Sequence, residues 1–243
     1  MVGSSWGCTR RAPVAVSPVL RDKGEAERAV VEYRRALAAD PLYADAFSSL
    51  LFTLSFVESA DPDAVYREHL EFNARFIAPL RGRRRRHTNR RDPDRKLRVG
   101  YVSPDFRRHV SGHYLMPVFR HHDHSRFEIF AYYNNRQSDD WMGIFRSLVD
   151  QWRDCIALSD DALAEQIAAD GIDILVECTG HMAGTRLRMC GLKPAPIHIS
   201  FPIYPNTTGV ETIDYRIMDP WFASSEADAW LSEKLIRLPD VHV

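Results

Sequence analysis

From Glu25 to Phe56 apolar residues recur at helical spacing. Ala29, Tyr33, Ala36 and Leu37 fall at i, i+4, i+7 and i+8, a single helix face. Asp40-Pro41 interrupts the pattern, because proline lacks an amide proton and disfavours a helical residue before it. A second periodic run follows at once in Ala44, Phe47, Leu50, Leu51 and Leu54. A third helix is expected over Asp63 to Leu80, with Val65, Leu70, Phe72, Phe76 and Ile77 closing over the first two. From Arg81 to Arg95 apolar residues almost vanish, and this stretch reads as a solvated, arginine-rich linker.

After Lys96 the period changes. Leu97 to Ser103 is a short apolar run ended by Pro104-Asp105, the signature of a buried strand. Further strands are expected at Phe127 to Tyr133, Asp154 to Leu158, Ile172 to Cys178, Ile197 to Phe201, Tyr215 to Met218 and Leu235 to Leu238. Helices are expected near Gly112 to Arg120, over Asp140 to Trp152, and from the Ser159 N-cap through Ala169, with a short one inside Gly180 to Gly191. Strands alternating with helices at this spacing imply βαβ units and a doubly wound, mainly parallel α/β sheet. The chain then divides into a leader (1–22), a helical segment (23–80), the linker (81–95) and the α/β lobe (96–243).

Charge agrees with that division. The formal net charge of −1 over 243 residues splits into +5 through Lys96 and −6 beyond it. The mean composition is that of a globular protein, which excludes wholesale disorder, collagen and a disulfide-stapled miniprotein. No apolar run is long enough to span a membrane, and the first twenty residues read as a disordered leader and not as a signal peptide. Cys8, Cys155, Cys178 and Cys190 form no CxxC pair and are expected as reduced, buried thiols of a cytoplasmic protein. The arginines lack interleaved aromatics, so no nucleic-acid partner is expected. His121, His122 and His124 lack the spacing of a metal site, and no metal is expected.

Three polar loops follow expected strands, where the functional loops of such sheets lie. They are Ser103-Pro-Asp-Phe-Arg-Arg-His-Val-Ser-Gly-His113, Glu177-Cys-Thr-Gly-His181 and Tyr204-Pro-Asn-Thr-Thr-Gly209. They could converge on one cleft. The first ends at the mouth of a helix, where unpaired amides and the helix dipole favour an anion. His113 falls in that first turn, either as a packed side chain or as a neutral imidazole able to accept or donate a proton. Thr207 and Thr208 offer hydroxyls, and Gly209 offers a flexible backbone. No GxGxxG, Walker or GxSxG motif occurs.

AERAVVEYRRALAADPLYADAFSSLLFTL resembles a tetratricopeptide repeat, through Tyr33, Ala36-Leu37, Pro41, Ala44, Ala46 and Leu50. Downstream, LRVGYVSPDFRRHVSGHYL, HHDHSRFEIFAYYNN, DGIDILVECTGHMAGTRL, KPAPIHISFPIYPNTTGVETIDYRIMD and SEKLIRLPD stand in the order of one family. From Lys96 to about Asp240 the sequence resembles the catalytic region of the O-GlcNAc transferase / SPINDLY family, glycosyltransferase family 41.

That resemblance implies a GT-B enzyme, in which two Rossmann-like lobes enclose the active site and this chain holds the first. It implies transfer of a sugar, N-acetylglucosamine or fucose carried as UDP-GlcNAc or GDP-fucose, to Ser or Thr hydroxyls of protein acceptors with inversion and without metal or other cofactor. His113 is implied as the catalytic residue, either base or positioning group. Asp105, His109, Thr179, His181, Tyr204, Pro205, Thr207, Thr208 and Gly209 are implied to bind donor or substrate. Phe201-Pro202-Ile203 stands where the family has Trp-x-Gly before Tyr-Pro. The nucleotide-binding second lobe is expected to be missing from this chain, leaving a separate second lobe as a partner. The competing reading is a non-catalytic remnant that binds peptides.

Overall fold

The computed structural model describes residues 12–221 and 227–240. Its elements are α1 (Ala12–Asp22), α2 (Ala26–Ala39), α3 (Ala44–Leu54), α4 (Pro62–Phe72), β1 (Leu97–Ser103), α5 (Val110–Arg120), β2 (Phe127–Tyr133), α6 (Asp140–Ser147), β3 (Gln151–Asp154), α7 (Asp160–Ala169), β4 (Ile174–Glu177), α8 (Leu187–Gly191), β5 (Ile197–Ser200), β6 (Tyr215–Met218) and β7 (Lys234–Arg237). The strands form one seven-stranded sheet in the order β3-β2-β1-β4-β5-β6-β7, parallel at every pairing. The chain reverses its direction of travel across the sheet between β1 and β4, the place where doubly wound sheets open a crevice.

The two-residue period of the strands sorts their side chains into two cores. Val99 and Tyr101 of β1, Ile129, Ala131 and Tyr133 of β2, and Val176 of β4 join Leu115 and Phe119 of α5 and Phe145 of α6 on one face. Val102, Phe130, Tyr132 and Leu175 point the other way, towards Leu163 and Ile167 of α7 and Met189 and Cys190 of α8. That second core also contains Tyr33, Phe47, Leu51, Phe72 and Ile77 from the helical segment. The helices and the lobe therefore share one continuous apolar interior, and the expected separation of 23–80 from 96–243 is not a structural one.

The linker expectation changes for the same reason. α4 runs through a π-helical turn, Asn73–Ile77, into a 3₁₀ turn, Ala78–Arg83. Beyond it the arginines lie on the acidic lobe. Arg81 and Arg84 both pair with Glu211, Arg83 with Asp161, Arg85 with Glu165 and Arg95 with Asp173. The opposite charges of the two halves meet as a strap.

Residues 12–22, expected as disordered leader, form α1, which encloses Pro18. Tertiary contact overrides the proline: Leu20 packs on the core and the Arg21 guanidinium stacks 5.0 Å over the Phe52 ring. The remaining leader residues, with Cys8, lie outside the described residues. Cys155, Cys178 and Cys190 are free thiols and buried. β3 begins at Gln151 and not at Asp154, and α6 ends correspondingly early. The Asp150 carboxylate accepts the Ile129 amide at 2.7 Å and the Asp150 amide donates to the Ile129 carbonyl at 3.0 Å, which fixes the strand register. The Trp152 ring then packs 5.3 Å from that of Tyr133. Among the described residues no helix is long and apolar enough to cross a membrane.

Candidate active site

The three loops leave the carboxyl ends of β1, β4 and β5, which are neighbours in the sheet. The first is built around Asp105. The Ser103 Oγ accepts the Asp105 amide at 3.0 Å, turning the chain back over the strand end. The carboxylate pairs with Arg107 at 3.1 Å and lies 3.3 Å from His109 Nδ1. His109 caps α5, its Nδ1 accepting the Ser111 amide at 3.2 Å. One nitrogen thus faces a donor and a carboxylate at once. Gly112 makes this crossing possible, since a Cβ there would lie 2.2 Å from the Arg107 carbonyl oxygen.

His113, one residue on, is exposed. Its ring meets the Trp141 ring edge-on at 4.5 Å, and among the described residues no hydrogen bond engages it. The Arg108 guanidinium lies 5.7 Å over the same indole. Asp139 joins the two helices, accepting the Arg108 amide at 2.8 Å and capping α6 through the Met142 amide at 2.8 Å. The starts of α5 and α6 therefore stand side by side; Asp139 and Asp140 already supply negative charge to the α6 start, and Arg108 pairs with Asp140 at 2.6 Å. The α5 start has no acidic residue in its first turn and carries the unengaged His113 imidazole at the surface, so an anionic ligand would be favoured there.

The second and third loops turn inward. His181 and Tyr204 are buried, as are Thr179, Thr207 and Thr208. Glu177 ends β4 and accepts the Thr179 and Gly180 amides at 2.8 Å each. Burial pushes its carboxyl up to about 7 against those two hydrogen bonds. His181 Nε2 donates to the Thr208 carbonyl at 2.8 Å, so Nδ1 accepts from the Ser48 hydroxyl at 3.1 Å. Burial holds His181 well below the usual imidazole range. Thr207 Oγ1 donates to the buried Glu233 carboxylate at 2.6 Å, and the Thr208 amide donates to its other oxygen at 2.7 Å. Arg216 is wholly buried beneath, donating to the Tyr204 carbonyl, and desolvation lowers its basicity.

The expected binding residues thus fall into two groups. Asp105, His109 and His113 line the α5 entrance. The side chains of Thr179, His181, Tyr204, Thr207 and Thr208 are held by protein partners, so they can offer a ligand shape and backbone, not free hydroxyls or imidazole. Pro205 is exposed, and Gly209 takes φ +68° with its Cα pressed against the His69 carbonyl. The three histidines at the end of α5 are each partnered separately: His121 with Pro117, His122 with Tyr101 and His124 with Asp150. Among the described residues no group of three or more His, Cys, Asp or Glu side chains could hold a metal ion.

A family model for glycosyl transferase family 41 matches residues 54–243. The chain belongs to that family. This family-41 chain is 34% identical over 215 residues to a probable UDP-N-acetylglucosamine–peptide N-acetylglucosaminyltransferase SPINDLY of Oryza sativa subsp. japonica, covering 87% of the chain and 23% of the relative. It is 34% identical over 148 residues to the UDP-N-acetylglucosamine–peptide N-acetylglucosaminyltransferase of Caenorhabditis elegans, covering 59% and 13%. A solved point mutant of the Thermobaculum terrenum O-GlcNAc transferase superposes with TM-score 0.90 at 33% identity, over 96% of this chain and 45% of that one. The chain therefore spans about a quarter of the rice relative and under half of the solved enzyme.

Glu177 stood inside a recognised loop, but its burial does not follow from its neighbours in sequence. His69 and Trp141 carried no local signal, and Arg216 and Glu233 stood inside recognised motifs without being singled out. Each becomes part of the site only through a partner at least 12 residues away, and for His69 135 residues away.

Proposed function

We propose that this chain forms the first lobe of a protein O-glycosyltransferase, which transfers N-acetylglucosamine from a nucleotide-diphosphate donor to Ser or Thr hydroxyls with inversion. The acceptor oxygen attacks the anomeric carbon as the bond to the diphosphate breaks, and the hydroxyl proton passes to the departing diphosphate or to water. Negative charge grows on the leaving diphosphate, where fixed dipoles and cations lower the barrier most. The α5 entrance supports this reading, with its helix start free of acidic residues and the exposed, unengaged ring of His113. His113 acts there on the reacting groups, while Asp105 and His109 hold the loop that presents it. The names of the relatives favour a UDP-linked N-acetylglucosamine donor over GDP-fucose.

The experiment is sugar transfer to a Ser/Thr peptide, followed by mass spectrometry. UDP-GlcNAc and GDP-fucose are each supplied to the chain alone and to the chain mixed with the nucleotide-binding lobe of a family member. We expect an N-acetylhexosamine adduct from UDP-GlcNAc, with inverted configuration, strongly reduced by His113→Ala. Absence of any adduct in both formats, or transfer from GDP-fucose only, overturns the reading.

A further inference from the structure

We infer that His69, in the helical segment, is a positioning residue for the 204–209 loop, acting through the hydroxyl of Tyr204. His69 lies on α4 and is fully buried. Its Nδ1 lies 2.7 Å from the Val65 carbonyl one turn back, so it must donate there. That fixes the tautomer and leaves Nε2 as an acceptor. The Tyr204 hydroxyl donates to Nε2 at 2.8 Å across a separation of 135 residues.

The backbone of the same residue shapes the other end of the loop. A Cβ at Gly209 would lie 2.3 Å from the His69 carbonyl oxygen, so only glycine lets the loop close on α4. The ring also packs 5.3 Å from His181 and 6.0 Å from Tyr204, which ties the loops after β4 and β5 to one side chain. Between these two anchors the exposed Pro205 and its neighbour Asn206 border a cleft of about 290 Å³ shared with Tyr66, His69 and Trp230. The helical segment therefore supplies the wall that sets the path of a loop belonging to the lobe. A purely apolar side chain at position 69 would fill the space, but it would strand the Tyr204 hydroxyl in a buried site, where it has no water to turn to.

Hydrogen–deuterium exchange on the intact chain tests this with His69→Ala, His69→Gln and Tyr204→Phe. The Gln amide oxygen can replace Nε2 as acceptor. Tyr204→Phe removes one oxygen and leaves the packing, so it remains informative should His69→Ala not fold. Exchange in β2 serves as the measure of global stability. We expect amides in 204–209 to exchange about tenfold faster in His69→Ala and Tyr204→Phe, beyond any change in β2, with His69→Gln restoring much of the protection. Nitrogen-15 spectra of the wild type should show His69 protonated at Nδ1 and hydrogen-bonded, without a proton, at Nε2. Loop exchange that merely follows β2, no rescue by Gln, or the opposite tautomer overturns the inference. Its kinetic consequence alone rests on the proposed transfer activity: His69→Ala lowers kcat about tenfold with donor KM unchanged. An inactive wild type would count against the proposed function, while the exchange data still decide this point.

Discussion

Gly112 is the residue on which the α5 entrance turns. The Arg107 carbonyl passes so close that a methyl group there requires backbone movement, and no flexible side chain can give way. Gly112→Ala is expected to destabilise the chain by about 2–3 kcal/mol through overpacking and to displace the His109 cap. Thermal unfolding together with the amide chemical shifts of Ser111 and His113 measures this; an unchanged melting point with unchanged shifts refutes it. Glu177 carries a second prediction, in pH. Its folded carboxyl sits near 7, above the ordinary glutamate value of 4.5, so the folded state holds the proton more tightly. The resulting stabilisation is complete below 4.5 and is lost as pH rises to about 7, up to about 3 kcal/mol. Urea titrations should show wild type losing stability relative to Glu177→Gln across that window; a flat difference contradicts the assignment. His69 acts in the opposite sense, since burial lowers it from 6.5 to about 4, and its contribution is lost as pH falls through that range.

Among the elements, the arginine strap shows how a correct composition reading can miss a structure. Seven arginines in Arg81 to Arg91 with few apolar residues look like a solvated linker, because sequence holds no record of what faces them. Glu211 faces two of them, Arg81 and Arg84, and also accepts from the side-chain amide of Asn73. The Arg81 guanidinium beside it, joined by Arg84, pulls its carboxyl down to about 2. These groups are largely open to solvent, so Glu211→Gln should cost only about 1 kcal/mol at low salt and less at high salt. Denaturation at two ionic strengths checks this, and a salt-independent cost would mean that packing and not charge holds the strap. The strands were readable for the reason the strap was not. β1, β2 and β4 are buried on both faces, so their own residues carry the apolar signal. β3 was misplaced because Asp150 and Trp152 take their register from β2.

In the molecule as a whole, the core on the α7 and α8 face of the sheet runs unbroken from the helical segment into the lobe, where the charge split suggested two units. Phe72 and Ile77 from the helical segment lie in the same core as Leu175 and Met189 of the lobe. The helices and the sheet should therefore unfold together. Phe72→Ala is expected to lower stability by about 3–5 kcal/mol and to shift helix and sheet signals to the same new midpoint. Two separated transitions, with the lobe unaffected, would show that the segment folds alone.

The sequence by itself determined what local chemistry can encode. Periodicity specified the helical hairpin, the alternating strands and the parallel α/β class, and the loop motifs carried the family, because these are properties of neighbouring residues. The site was legible only as a set of loops. Tertiary structure decided which of their side chains face solvent. It left His113 exposed beside Trp141, and it sank His181, Tyr204, Thr207 and Thr208 among His69, Ser48 and Glu233. Burial and hydrogen-bond partnership across more than a hundred residues are set by how the helical segment packs on the sheet, and no pattern along the chain records that packing.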